Sequence, residues 1–268
     1  MPGAARSLRV TDAYRRRLLA LQTRAKQLGR WTVGVEDIDG TGQAWIGQTV
    51  AALEVVQRAG VTLTAGYVTA YIASETRRPA QPAVVHTESV GQAQDGQPLA
   101  KSLAAALITV KAALRDNREP ATALRMGENR ATRLIQSAAL SAPRAAMHAT
   151  VEQDPRLGGW RRVTFGGCGA CLAAADGIVY GPDTPLKVHD HCRCVAEPVV
   201  MGVGEREWRP TGKQIFDAMP PEQQNALLGD EKAALVRSGQ VAFERLIQPQ
   251  PMAIAPDGIT ERPLVALT

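Results

Sequence analysis

All four cysteines of the 268-residue chain fall in one short stretch, Cys168-Gly-Ala-Cys171 and His189-Asp-His191-Cys192-Arg-Cys194, together with two of its four histidines. A C-x2-C pair followed at a distance by H-x2-C-x-C has the spacing of a structural zinc site in which two short chelating turns face each other. Thiolates and imidazole both suit Zn2+. A catalytic zinc more often keeps an open position and has a carboxylate or fewer thiolates among its ligands, so the pattern predicts a metal staple for a small, loop-rich module. Gly167 and Gly169 let the backbone bend closely around sulfur and present N–H groups to it.

More donors are present than a tetrahedral ion needs. Cys168, Cys171 and Cys192 are common to the candidate sets, and His189 or Cys194 completes them, with His191 a further candidate. The H-x2-C spacing of His189 and Cys192 favours the set with His189; a four-cysteine set through Cys194 is the alternative. Disulfides formed after release into an oxidising space are a third reading. A redox C-x-x-C pair lacks the βαβ surroundings it would need.

Ahead of this motif the chain reads as helical. Aromatic residues make up only 4% of it, so its core must come from Leu, Val, Ile and closely packed Ala. Helical spacing predicts a basic amphipathic helix over about 11–28, an acidic turn over 34–42 and a helix over about 43–58 stopped by Gly60. A further helix is expected from Thr62 or Thr64 to Glu75, although Tyr67 and Tyr71 also suit a strand. Pro79, Pro82 and the polar run Thr87–Gln97 predict a long flexible or partner-ordered loop. Leu103, Leu107, Val110 and Leu114 mark the next helix. The longest is expected over 121–150, kinked or divided by Pro143, whose ring removes an amide donor and clashes with the preceding turn.

The texture changes after Gly158-Gly159. Residues 160–165, 178–180 and 194–198 read as short strands. In the tail Pro220-Pro221 should start a helix that Gly229 ends, and Asp230 should cap another that Gly239 ends. The expected architecture is mainly α: a helical region over 1–158 for docking, a small α+β zinc-stapled domain over 159–248, and an extended tail over 249–268.

The net charge of +5 is unevenly placed. Residues 1–30 hold Arg6, Arg9, Arg15, Arg16, Arg17, Arg24, Lys26 and Arg30 against Asp12 alone. Such a helix offers either a solvated face or a patch for DNA or an acidic protein surface. No apolar run approaches the roughly 20 residues that span a bilayer, and the N-terminus lacks the pattern of a secretion signal, so assembly in a cytoplasm is expected. Phosphate-binding loops, dinucleotide fingerprints and nucleophile elbows are missing from the sequence.

The cysteine and histidine motif, preceded by a long helix and Arg161-Arg-Val-Thr-Phe165, resembles the C-terminal domain of phage Mu F-like minor head proteins, also called phage head morphogenesis proteins. Gln214-Ile-Phe216, Pro220-Pro-Glu-Gln-Gln224, Leu227-Leu-Gly229 and Leu235-Val-Arg-Ser-Gly239 are similar to the motifs that follow it in that family. The likeness covers roughly residues 125–248. Asp190 and His191 stand where family members commonly have a proline and a small polar residue. The resemblance implies a minor capsid protein of a tailed phage, held inside the head near the portal vertex, with the portal protein or major capsid protein as partner and exit with the DNA as one fate. It implies no enzymatic activity. The alternative is a zinc-containing nuclease or hydrolase of packaging or ejection, using Asp176, Asp183 or Asp190 with His189 or His191.

Overall fold

The computed structural model describes residues 2–164, 168–184, 186, 192, 194–203 and 210–247. His189, Asp190, His191 and the tail from 249 to 268 lie outside the described residues. The protein is mainly helical, with a small three-stranded sheet and the cysteine cluster in its C-terminal region.

Four long helices come first: α1 (Pro2–Leu28), α2 (Ile38–Thr76), α3 (Leu99–Arg115) and α4 (Pro120–Gln153). The acidic turn starts α2, because the Asp37 carboxylate accepts the Gly40 N–H at 2.8 Å and satisfies one of the free amides of the first turn. One core joins Ala25, Trp45, Leu53, Leu103, Leu107 and Ile135. Trp45 is 1% exposed and its indole N–H donates to the Gly29 carbonyl, which explains how a large polar-tipped ring fits between α1, α2 and α4.

Gly60 does not stop a helix; α2 runs straight through it. A Cβ at Gly60 would overlap the ring of Pro143, which lies inside an undivided α4. Glycine costs about 1 kcal/mol relative to alanine within a helix, and here its missing side chain gives room for the ring on the neighbouring helix. Each of the two residues that look like helix breakers makes space for, or fills the space of, the other.

The polar segment between α2 and α3 is tied down. Gln57, 0% exposed, donates from Nε2 to the carbonyls of Ala138 and Gln92 at 2.8 and 2.9 Å and accepts the Gly91 N–H at 2.7 Å. Ser141 Oγ shares the same two carbonyls. Ala83 donates to Thr69, and Arg156, paired with Asp154, donates to the Gln81 carbonyl. A segment that sequence reads as free is fixed by side chains distant in the chain. Gln57→Leu would strand buried backbone groups at about 1–3 kcal/mol each, less what water recovers. The expected loss is about 2 kcal/mol in urea unfolding, with faster amide exchange at Gly91; unchanged exchange there would show that Gln57 does not hold the loop.

The C-terminal region opens with β1 (Leu157–Val163), then α5 (Gly169–Ala173), β2 (Val179–Tyr180) and β3 (Val195–Val200), in an antiparallel sheet of order β2-β1-β3. Gly159 has φ of +147°, and a Cβ there would overlap the Tyr180 carbonyl, so only glycine allows β2 to approach at this irregularity. Trp160 stacks on Tyr180 at 4.6 Å and donates to the Thr184 carbonyl. Trp160, Val163, Val195 and Val200 of the sheet share one core with Tyr14, Tyr67, Tyr71 and Met147 of the helices.

Three short helices follow: α6 (Gly212–Asp217), α7 (Pro221–Leu228) and α8 (Asp230–Arg237), before a 3-10 turn at Phe243–Ile247. Thr211 and Gln214 form a capping box at the start of α6. Gly229 stands at the cap of α8, and Asp230 is its first helical residue, where its charge favours the helix dipole instead of capping an amide. These helices enclose Phe216, Ala233, Val236 and Phe243 with Leu172 and Ala173 of α5. The five residues of α5 therefore send Leu172 into this core and Cys171 into the cysteine cluster.

Candidate metal centre

Cys171 enters from α5, and Cys192 and Cys194 arrive on the segment leading into β3. All three are at least 98% buried, and their sulfurs lie within 4.8 Å of one another. The Cys171 and Cys192 sulfurs are 3.7 Å apart. A tetrahedral ion with metal–sulfur bonds of about 2.3 Å holds its sulfurs roughly 3.8 Å apart, whereas a disulfide needs about 2.05 Å. The four thiols are free, and the spacing of Cys171, Cys192 and Cys194 is that of metal ligands. Cys168 stands exposed at the cap of α5 and hydrogen-bonds Cys171, so among the described residues it is the candidate fourth donor.

Crowding sets the protonation of this cluster. Hydrogen bonding to Cys168, then to Cys192 and Cys194, together with burial, pushes the Cys171 thiol far up. Cys192 is held far below the usual thiol range by hydrogen bonds from Cys171 and Cys194, with help from the Arg144 charge. For Cys194 the Cys171 contact favours the thiolate, but the hydrogen bond to Cys192, burial and the Cys192 charge outweigh it and raise the pKa to about 11. The neighbours favour one thiolate and oppose further deprotonation, which is the problem a divalent cation solves.

Arg144 of α4 reaches this cluster and donates from Nη2 to the Cys192 carbonyl at 2.7 Å. Desolvation lowers its pKa, offset by Cys192 and Cys194. A cavity of about 20 Å³ lies beside it, lined by Tyr14, Leu18, Arg144, Leu186, Cys194 and Val195; that is room for about one water.

Residues 9–211 match a family model described as VG15 protein. The chain belongs to the VG15 protein family. It is a phage protein, and the match runs from α1 through the bundle and the cysteine cluster to the Thr211 cap of α6. No curated protein and no solved structure matches it. Among the described residues no helix of this VG15 protein is long and apolar enough to cross a membrane.

Of the candidate ligands, Cys171, Cys192 and Cys194 come together and Cys168 lies beside them; His189 and His191 lie outside the described residues. Asp176 is engaged as a turn residue: it accepts the Ile178 N–H at 3.0 Å and the Tyr180 hydroxyl at 2.9 Å. Two features of this VG15 protein escape sequence reasoning. Arg144, distant from the motif, has no local signal. Glu197, in what reads as a plain strand, is fully buried, accepts the Thr11 hydroxyl at 2.7 Å and pairs with Arg161 at 3.8 Å.

Proposed function

We propose that this VG15 protein is a structural minor capsid protein of a tailed bacteriophage, a head morphogenesis protein held inside the head near the portal vertex. The observation that carries the reading is a family match spanning both the helical bundle and the cysteine cluster, joined to the likeness of residues 125–248 to Mu F-like minor head proteins. The portal protein or the major capsid protein is its partner. The exposed basic residues Arg6, Arg16, Arg17, Arg24 and Lys26 of α1, with Arg30 just beyond it, are the proposed contact for packaged DNA or an acidic portal surface. A DNA contact would weaken steeply between low and moderate salt.

In this reading the metal is Zn2+, held by Cys168, Cys171, Cys192 and Cys194, and its role is to stabilise. Four thiolates fill a tetrahedral shell and leave no position for substrate, which favours a staple over a nuclease centre. The small sheet and the tail core are joined through α5, so a bound ion adds its binding energy to the folding of both. Electron cryo-microscopy of intact heads tests the assignment: density for this chain is expected at the portal vertex, and heads that lack the chain overturn it.

A further inference from the structure

Arg144 is a costly residue where it stands. Its half-buried guanidinium has given up much of its water, and among the described residues it pairs with no carboxylate. What it faces is the cysteine cluster: it holds the Cys192 carbonyl at 2.7 Å and lines the small cavity with Cys194. Arg162 of β1, opposite Ala196 in the register and so two residues past Cys194, is the second cation acting on Cys194. A desolvated cation needs a counter-charge, and the one thiolate that these neighbours favour faces two guanidinium groups, Arg144 and Arg162. A divalent ion with four thiolates balances both, because the complex carries a net charge of about −2.

We propose that Arg144, assisted by Arg162, is the counter-charge of the metal-bound cysteine cluster and the tie by which metal loading fastens that cluster to α4. The inference rests on the four-thiolate reading given above. Arg144 is a positioning residue: it touches the backbone of a ligand, not the ion. Its two contributions are separable, since lysine keeps the charge and glutamine keeps an N–H donor without it. Because α4 also packs on α1, α2 and α3, loading the cluster would be felt in the bundle.

The test uses the full-length chain with Co2+, whose thiolate charge-transfer absorption reports sulfur ligation, and competition with Zn2+ for affinity. Arg144→Gln is expected to weaken binding roughly 10–100-fold, the range found when groups supporting metal ligands are removed, and Arg144→Lys to restore most of it. Arg162→Gln should show a smaller loss in the same direction, and it carries the test if Arg144→Gln does not fold. Wild-type affinity in both glutamine variants overturns the proposal. Equal weakening by Arg144→Lys and Arg144→Gln overturns the charge argument. Absence of thiolate bands in the wild-type chain is a different result and removes the metal site itself.

Discussion

Replacing Cys171 with serine is expected to abolish tight metal binding and to make the stability of the chain indifferent to zinc. The side chain is 1% exposed and stands 3.7 Å from the Cys192 sulfur, so it is the central donor of the cluster. Serine offers a poorer, harder ligand at the same place. Zinc that binds only the folded form at a free concentration about 1,000 times its dissociation constant adds roughly 4 kcal/mol to unfolding. Wild-type protein should show that increment in urea or thermal unfolding and lose it to a chelator. Cys171→Ser with zinc should resemble chelated wild type. A wild-type chain whose unfolding is the same with zinc and with chelator would sink the staple.

The second large effect concerns Glu197. Its carboxylate is fully buried between β3 and α1, facing Arg161 across the strand pair and accepting the Thr11 hydroxyl. The Thr11 hydroxyl also meets that of Tyr67 at 3.0 Å, and burial, followed by the Glu197 charge, raises the Tyr67 pKa well above its usual value. Removing one partner of a buried pair strands the other at about 3–5 kcal/mol, while replacing both with apolar side chains is often near neutral. Arg161→Leu is therefore expected to cost about 3 kcal/mol at neutral pH, and Arg161→Leu with Glu197→Leu much less. Glu197→Gln keeps an acceptor for Thr11 but leaves Arg161 without its counter-charge, so its cost should approach that of Arg161→Leu. Urea unfolding of both single leucine variants and the double reads the coupling; single losses that simply add in the double would show that the pair is not coupled.

What the sequence makes legible here is local and periodic. The strands around Trp160 and Val179 stand out because glycines bracket alternating side chains, and α7 begins and ends at Pro221 and Gly229 as proline and glycine dictate. The helix through Tyr67 and Tyr71 is settled by packing: Tyr14 stacks on Tyr67 at 4.1 Å, a contact no window around residue 67 contains. Gly60 misleads for the same reason, since its partner Pro143 is on another helix. The helices α5 and α6 are too short for periodicity to reveal.

Within the candidate metal centre, spacing selects Cys168, Cys171 and Cys192 but treats His189 and Cys194 as near equals. The Cys194 sulfur falls inside the buried cluster, and His189 lies outside the described residues. Arg144 shows the limit most plainly. It reads as one more basic residue on an alanine-rich helix, and its relation to Cys192 exists only once α4 and the segment before β3 are packed.

The hydrogen bond from Thr11 to Glu197 joins the first helix to the last strand. On a ribosome α1 emerges well ahead of β3, so the sheet that covers part of its apolar face is completed only about 170 residues later. At about 5–20 residues per second that interval is on the order of ten to thirty seconds. For that time Tyr14 and Leu18 have only helical neighbours to cover them, and a basic amphipathic helix is open to whatever is nearby. A phage that makes many chains at once would place this one under selection for the order in which its surfaces close as well as for the final fold.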